Sequence, residues 1–323
     1  MNKKNLRIVF MGTPEFAVET LKTLVENDYN VVAVVTQPDK PVGRHHEQLQ
    51  PSQVKLYALE HEIPVLQPEK MKDPDFVESL RAYQADLQVV VAFRMLPEVV
   101  WDMPRFGTFN VHAALLPQYR GAAPINWAVI NGETQTGVTT FFLDHDIDTG
   151  RIIMQQSFDI PDDADVEYVY NGLMHLGAKI ACDTIDLLLK SNGKVDTIRQ
   201  EELNVKDLHL APKIFKETCC INWAQQAKCI YDFVRGLSPY PGAWTLLINT
   251  QGKKMVLKIF KTQKTDFAKS GVVGSLVVKK NRLYVNCSDL QLELLEVQLS
   301  GKKRMQVSDF LNGFHDLENY SLN

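Results

Sequence analysis

The first half of this 323-residue chain alternates short β-branched runs with segments of helical periodicity. The runs are almost continuously apolar, which is typical of strands covered on both faces, and the segments between them suit crossover helices. This alternation predicts a mostly parallel α/β sheet, closed by a long helix between residues 162 and 190. The predicted strands are 6–11, 30–36, 87–93, 107–112 and 137–143.

The second half has a different pattern. Residues 192–211 are polar and aperiodic, which predicts a linker or an excursion over the surface. An amphipathic segment at 223–234 is followed by short alternating runs with turn residues between them, which indicates a small β-barrel or sandwich. The length also favours two domains. We therefore predict domains at 1–191 and 212–323, and the second has its strands at 244–248, 255–260, 272–278, 283–287 and 290–299.

The net charge of −4 is unevenly distributed. Residues 1–205 contain 18 basic and 29 acidic side chains and carry −11, whereas residues 206–323 contain 17 and 10 and carry +7. A basic domain beside an acidic one is the pattern expected when one part performs chemistry and the other binds a polyanion. The alternative interpretation is a lysine-rich solvated surface.

Neither the N-terminus nor the cysteines indicate export. The apolar run before Gly12 is too short for a signal peptide or a membrane span, so a cytosolic protein is expected. The cysteines are odd in number and form no CxxC pair, which argues against a disulfide framework and against a zinc site. They are interpreted as reduced packing residues: Cys182, Cys219, Cys220, Cys229 and Cys287.

The turn after the first predicted strand does not suit a dinucleotide. It reads Gly12-Thr-Pro-Glu-Phe16, with one glycine where a dinucleotide fingerprint has three. The backbone then has no obvious close approach to a pyrophosphate, which argues against a nicotinamide-dependent dehydrogenase.

Three polar residues mark a candidate active site. Asn110 and His112 lie two apart on a predicted strand, so their side chains should project to the same face near the edge where open α/β sheets bind ligands. Asp148 follows the next strand in a DTG turn, from which a carboxylate can orient the histidine ring and raise its basicity. An isolated Asn-x-His pair is more often the mark of a cap or of a satisfied core histidine.

The motifs of this region, taken in order, resemble a known family. Asn110-Val-His112, LLP at 115–117, RGAAP at 120–124 and the IDTG that ends at Gly150 resemble the signature of the folate-dependent formyltransferases, and within them the members that formylate methionyl-tRNA. The resemblance extends from the opening VFMGTPEFA through DKPVGR (39–44) to SPYPGAW (238–244) and GKKRM (301–305).

The resemblance implies a fold, a reaction and a set of site residues. It implies a Rossmann-like catalytic domain followed by an OB-like β-barrel that holds tRNA, with 10-formyltetrahydrofolate as the formyl donor, initiator methionyl-tRNA as the acceptor, and no metal. Asn110, His112 and Asp148 are then the catalytic group. The folate-binding candidates are Phe93, Leu96, Ala114, Leu115, Leu116 and Pro117, and the tRNA-binding candidates are Arg44, Lys302, Lys303 and Arg304.

Two segments depart from the family pattern. The segment 92–100 is about a residue shorter, and its Phe93-Arg94 resembles the formyltransferases that act on nucleotide precursors. After Arg44 the chain reads His45-His46-Glu47 where small and basic residues are usual; the two histidines also suggest a metal site, but lack a third ligand nearby. We expect the polar segment 37–50 to be a mobile loop that closes over the acceptor.

Other functions fit parts of the chain. A glycinamide-ribonucleotide formyltransferase would share the chemistry but leave the basic second domain unexplained. A sugar-nucleotide N-formyltransferase can also carry a C-terminal barrel, and only the DKPVGR loop and the +7 charge argue against it. A catalytically silent RNA-binding protein would have no use for the group formed by Asn110, His112 and Asp148.

Overall fold

The structure is a computed structural model, and it describes residues 2–42, 48–314 and 317–323. The chain divides into two units, each of which collects separate stretches of the sequence. The first unit comprises Met1–Gly121, Gln135–Asp159 and Tyr170–Leu210, and the second comprises Ala122–Thr134, Ile160–Val169 and Ala211–Asn323.

The strands and helices are numbered here in chain order. The strands are β1 Ile8–Gly12, β2 Val31–Val35, β3 Lys40–Val42, β4 Gln48–Gln50, β5 Val65–Leu66, β6 Leu87–Val91, β7 Thr108–His112, β8 Arg120–Gly121, β9 Gln135–Phe142, β10 Ile152–Asp159, β11 Leu210–Ala211, β12 Ala243–Asn249, β13 Lys254–Ala268, β14 Leu276–Lys279, β15 Arg282–Asn286, β16 Leu290–Leu299, β17 Met305–Gln306 and β18 Tyr320–Leu322. The helices are α1 Glu15–Glu26, α2 Gln53–Glu60, α3 Pro74–Ala82, α4 Glu98–Trp101, α5 Pro124–Ile130, α6 Val166–Lys190, α7 Ala227–Leu237 and α8 Val307–Gly313, with 3₁₀ turns at Gln200–Leu203, Glu217–Cys219 and Leu317–Asn319.

A seven-stranded sheet organises the first unit, in the order β10-β9-β7-β6-β1-β2-β5. The neighbouring strands β7, β6, β1, β2 and β5 are parallel, whereas β9 is antiparallel to β7 and β10 is antiparallel to β9. Every residue of β1 and of β6 is buried, as expected for strands covered on both faces. Full burial of a side chain such as Phe10 contributes about 1.5–3 kcal/mol.

Polar side chains cap two helices of this unit. Ser52 caps α2 by accepting a hydrogen bond from the backbone of Lys55 at 3.1 Å, and Asp73 caps α3 in the same way. The long closing helix is present as α6, whose apolar face includes the fully buried Val169 and Leu173. The predicted α/β class and its five strands are confirmed, whereas the edge strand β10 was not predicted.

The second unit is an antiparallel sheet in the order β14-β15-β16-β13-β12-β18, with β17 paired to β16. The fifteen-residue strand β13 has register shifts against β16, including one between Ile259 and Lys261. Such bulges bend a strand and increase its twist, so the sheet curls into a half-barrel. The prediction of a small β-barrel domain after the α/β domain is confirmed at this level.

Helix α7 covers the curled sheet of the second unit and shares its apolar core. Ile230 and Leu237 of α7 are buried with Leu247, Leu283 and Leu292 of the strands. Gly236 permits a close approach to α5, because a Cβ at that position would lie 2.6 Å from Cγ1 of Ile130 and 2.8 Å from its backbone nitrogen.

The polar stretch 192–211 is mostly exposed. Up to Leu210 it belongs to the first unit, and Ile198 forms an antiparallel bridge with Ile152 at the start of β10. Gln200 is only 2% exposed. Up to Leu210 the segment therefore follows the surface of the first unit and is anchored there at Ile198 and Gln200.

Candidate active site

Asn110 and His112 lie on β7 at the carboxyl edge of the parallel strands. His112 is the last residue of β7, and Asn110 pairs with Val90 of the neighbouring strand β6. Because strand side chains alternate, the two project to the same face. His112 is 6% exposed and Asn110 is half-buried, so the first is enclosed while the second is partly accessible.

The ring of His112 is fixed by two neighbours. Its Nε2 lies 2.9 Å from the carbonyl oxygen of Tyr119, and the edge of the ring meets Phe141 with 6.4 Å between ring centroids. A carbonyl oxygen only accepts hydrogen bonds, so Nε2 carries the hydrogen. Nδ1 is 3.9 Å from Oδ2 of Asp148. The structure thus brings His112 and Asp148 close together, at a distance too long for a direct hydrogen bond.

The carboxylate of Asp148 is held by a backbone hydrogen bond to one of its two oxygens. The Gly121 N–H donates a hydrogen bond to Oδ2 at 3.0 Å. Oδ1 has no hydrogen-bond partner in the part of the chain that the structure describes. The residue adopts the left-handed backbone conformation, with φ of +56°. Asp148 therefore presents a fixed carboxylate with one oxygen available to a ligand.

The Asn110 amide also remains available. Among residues 2–42, 48–314 and 317–323 its side chain has no hydrogen-bond partner. A partly exposed amide offers both a donor and an acceptor to a ligand.

The segment from Ala114 to Pro117 follows β7 and is supported from beneath by two polar side chains. The Thr139 hydroxyl donates to the Ala114 carbonyl at 2.6 Å and accepts from the Leu116 backbone at 3.1 Å. The Gln155 amide donates to the Leu116 carbonyl at 2.8 Å and to the Thr139 hydroxyl at 2.9 Å. These bonds fix the backbone of the predicted folate-binding segment, with Leu115 half-buried and Leu116 and Pro117 buried.

The other two folate candidates lie on the segment after β6. Leu96 is buried in the apolar core beneath the sheet, and Phe93 packs partly against the same cluster. The Arg94 guanidinium lies over the Phe93 ring at 5.7 Å from its centroid and donates to the carbonyls of Pro68 and Glu69. Leu96 is thus mainly a packing residue, whereas Phe93 keeps part of its ring exposed.

The tRNA-binding candidates of the second unit differ in whether their charge is paired with a carboxylate. Lys302 and Lys303 are exposed. Arg304 pairs with Glu296 at 2.6 Å and lies over the Phe260 ring at 4.3 Å. Arg304 therefore has its charge partly satisfied within the unit, unlike the two lysines.

A groove of about 680 Å³ lies beside Arg304 in the same unit. Arg235 in its wall pairs with Asp232 at 2.8 Å, and Lys264 at its rim pairs with Asp162. Its cations are largely neutralised by carboxylates of the same unit, so the groove itself is not a strong anion site.

Some predicted site residues cannot be placed. Arg44, His45 and His46 lie outside the described residues, as does the centre of the segment 37–50. Within the described ranges there is no group of three or more His, Cys, Asp or Glu side chains that could hold a metal ion. In those same ranges no helix is long and apolar enough to cross a membrane.

Two supporting residues gave no signal in the sequence. Gln200 donates to the carbonyl oxygens of Asp148 and Gly150 and accepts from the Arg120 guanidinium. Tyr119 contributes its main-chain oxygen to His112. Contacts made through backbone atoms leave no side-chain pattern to detect, although Arg120 did lie in one of the family motifs.

Comparison with known proteins agrees with this fold. The family model described as formyl transferase matches residues 6–185, and the model for the formyl transferase C-terminal domain matches residues 213–315. Among solved structures, WlaRD, a sugar 3N-formyl transferase, superposes with a TM-score of 0.61 at 19% identity, covering 92% of this chain and 99% of that one. HypX from Aquifex aeolicus in complex with tetrahydrofolic acid superposes with a TM-score of 0.61 at 17% identity, and the match covers 95% of this chain and 47% of HypX. At such identities these two structures show a shared fold.

The chain belongs to the formyl transferase family. Its similarity to particular members extends from end to end. It is 59% identical over 325 residues to the methionyl-tRNA formyltransferase of Parabacteroides distasonis, with 100% of both chains covered. It is 56% identical over 324 residues to the protein of the same name from Bacteroides fragilis, with 100% of this chain and 99% of the relative covered.

Proposed function

We propose that this protein transfers the formyl group of 10-formyltetrahydrofolate to the amino group of initiator methionyl-tRNA, in the cytosol where translation begins. The observation that carries the proposal is the 59% identity over the full length of a methionyl-tRNA formyltransferase. At 59% identity over both full chains, the relative shares the catalytic unit and the basic unit, and formyl transfer to an arbitrary acceptor would not require the basic unit.

The chemistry makes two demands on the protein. The amine nitrogen forms a bond to the formyl carbon while the bond from that carbon to the folate nitrogen breaks, and negative charge develops on the formyl oxygen. One proton must also leave the amine, and the departing folate nitrogen must gain one to be released as tetrahydrofolate. The bound folate supplies the electrophilic formyl carbon, and residues of the chain stabilise the charge and receive the proton.

Asn110 and His112 are the proposed donors to the formyl oxygen. The Asn110 amide has no protein partner among the described residues, so it is free to donate. His112 uses Nε2 to reach the Tyr119 carbonyl, so its protonated form donates from Nδ1. A preorganised donor of this kind contributes about 3–4 kcal/mol to the stability of the transition state.

Asp148 is the proposed acceptor of the amine proton. Its Oδ2 is occupied by the Gly121 N–H, whereas its Oδ1 has no partner in the described part of the chain. A carboxylate held by one oxygen keeps its orientation while the other accepts a proton, directly or through a water molecule.

The folate is proposed to lie against Ala114 to Pro117, with Phe93 and Leu96 on the side of β6. The segment fits this ligand, since a small, largely apolar stretch with a fixed backbone suits a planar heterocycle that needs few, well-placed hydrogen bonds. The Thr139 and Gln155 bonds keep that segment in place.

Lys302 and Lys303 are the proposed contacts to the tRNA phosphates. Arg44 is a further candidate, and Arg304 is expected to contribute less. The support is the +7 charge of residues 206–323 and the exposure of both lysines. A sugar-nucleotide acceptor is not favoured, because the similarity to WlaRD is limited to 19% identity.

The deciding experiment is formyl transfer by the purified protein with 10-formyltetrahydrofolate and charged initiator tRNA. We expect a mass gain of one formyl group on the methionine and release of tetrahydrofolate. Deacylated initiator tRNA and an amino sugar nucleotide serve as parallel acceptors. Formylation of the sugar nucleotide in preference to methionyl-tRNA would refute the proposal.

A further inference from the structure

The segment 197–200 is docked in a fixed register beside the turn that carries Asp148. Ile198 and Ile152 exchange both backbone hydrogen bonds, each at 2.9 Å. The Arg151 guanidinium donates to the Thr197 hydroxyl at 2.6 Å and to its carbonyl at 3.1 Å. These contacts place residue 200 directly alongside residues 148–150.

The amide of Gln200 makes a complete set of hydrogen bonds there. Its Nε2 donates to the carbonyl oxygen of Asp148 at 2.8 Å and to that of Gly150 at 2.9 Å. Its Oε1 accepts from Nε of Arg120 at 3.0 Å and from the terminal NH2 of Arg120 at 2.7 Å. Carbonyls only accept and a guanidinium only donates, so the amide has one orientation. A buried amide with all four bonds made is a rigid support.

The residue that Gln200 supports has a demanding backbone conformation. Asp148 is left-handed, with φ of +56°, a region that non-glycine residues seldom occupy without local help. Two contacts supply that help: Gln200 on the main-chain oxygen and the Gly121 N–H on Oδ2. Arg120 and Gly121 are adjacent, so both contacts are tied to the same strand β8.

We infer that Gln200 is a positioning residue for formyl transfer, whose amide holds the Asp148 turn so that the carboxylate stays directed at His112. The inference rests on the proposed function and adds to it a residue from the stretch that sequence analysis assigned to a linker. Without the amide the Asp148 backbone is free to leave the left-handed conformation, and the carboxylate moves away from its place 3.9 Å from the His112 Nδ1.

The test uses Gln200→Ala and Gln200→Glu, with Glu201→Ala as the matched control on an exposed neighbour in the same 3₁₀ turn. Glutamate keeps the volume and the acceptor for Arg120, but an ionised carboxylate cannot donate to the two carbonyls. Both Gln200 variants should lower kcat for methionyl-tRNA by about 10- to 100-fold, as expected for misplacement of a reacting group. KM for either substrate should stay within about two-fold, because ground-state binding is not involved.

A double-mutant cycle separates positioning from general stabilisation of the fold. If Gln200 acts through Asp148, then Gln200→Glu should lower the rate of the Asp148→Asn enzyme no further. Thermal melts verify that each variant is folded. Independent, multiplicative losses in the double mutant, or a wild-type kcat for folded Gln200→Glu, would overturn the inference. Failure of the wild-type protein itself to formylate methionyl-tRNA would instead refute the proposed function.

Discussion

The Nε2 atom of His112 lies 2.9 Å from the main-chain carbonyl oxygen of Tyr119. That hydrogen bond assigns the ring hydrogen to Nε2 and leaves Nδ1 on the side of Asp148, 3.9 Å from Oδ2. A proton gained by the ring is therefore placed at Nδ1. One nitrogen of His112 anchors the ring, and the other faces Asp148.

The first prediction concerns the chemical step. His112→Ala and Asp148→Asn should each lower kcat by about 10²-fold or more, while the affinity for methionyl-tRNA changes little, because both groups act mainly in the transition state. Single-turnover formylation and filter binding measure the two quantities separately. His175→Ala is the matched control, since that histidine is exposed on α6 and pairs with Glu19 at 3.1 Å.

A different pattern would contradict these roles. Near-normal turnover in folded His112→Ala or Asp148→Asn would remove the residue from the chemistry. A loss confined to tRNA affinity would make it a binding residue instead.

The second prediction concerns the support of the folate segment. Thr139→Val removes the hydroxyl that bonds to Ala114 and Leu116 and should raise KM for 10-formyltetrahydrofolate several-fold with a smaller effect on kcat. The substitution leaves buried backbone groups unpaired, at a cost of about 1–3 kcal/mol. Steady-state kinetics with varied folate provide the measurement.

Thr140→Val is the matched control for this change. It is the same substitution one residue further along β9, where the hydroxyl bonds to Thr184 at 2.8 Å instead. It should lower thermal stability but leave KM for the folate unchanged. If both variants change KM equally, the effect is one of general stability, and the Ala114–Pro117 segment loses its proposed role.

Much of the scaffold followed from local pattern. The continuous apolar runs placed β1, β6 and β7 because strands buried on both faces seldom carry polar residues, and period-two alternation placed Asn110 and His112 on one face. Strand β10 was missed because it is an edge strand, with Gln155, Gln156 and Ser157 at its centre rather than an apolar run.

The supports of the site could not be predicted in the same way. Gln200 lies in a polar, aperiodic stretch, and its partners at Asp148 and Gly150 are backbone carbonyls that every residue possesses. The anchor of His112 is likewise a carbonyl, seven residues further along the chain. Such hydrogen bonds depend on the path of the folded chain, which hydrophobic periodicity does not specify.

The third prediction concerns the electrostatic hold on tRNA. Neutralising Lys302 and Lys303 to glutamine should weaken binding of many tRNAs similarly and flatten the plot of log affinity against log salt, by up to about 0.9 for each phosphate that is no longer neutralised. Arg304→Gln should flatten it less, because Arg304 is already paired with Glu296 at 2.6 Å. Salt titrations with methionyl-tRNA and a non-initiator tRNA give the slopes. An unchanged slope in the double lysine variant would make the basic surface an ordinary solvated one.

The last prediction concerns the pH dependence of stability in the second unit. The carboxylate of Asp289 accepts hydrogen bonds from the backbone of Ala227, the first residue of α7, and of Leu290, each at 2.8 Å, and these bonds lower the pKa of that carboxyl. A lowered native pKa stabilises the fold fully above the ordinary carboxyl pKa of about 4, and that stability is lost as pH falls through the native value. Asp289→Ala should therefore reduce the free energy of unfolding by about 1 kcal/mol at pH 7, as expected when a helix cap is removed, with the difference shrinking towards pH 3.

Urea unfolding of the wild type, Asp289→Ala and the exposed-site control Asp266→Ala at both pH values measures the effect. A gap between the wild type and Asp289→Ala that stays constant over this range would show that the charge of Asp289 does not stabilise the start of α7.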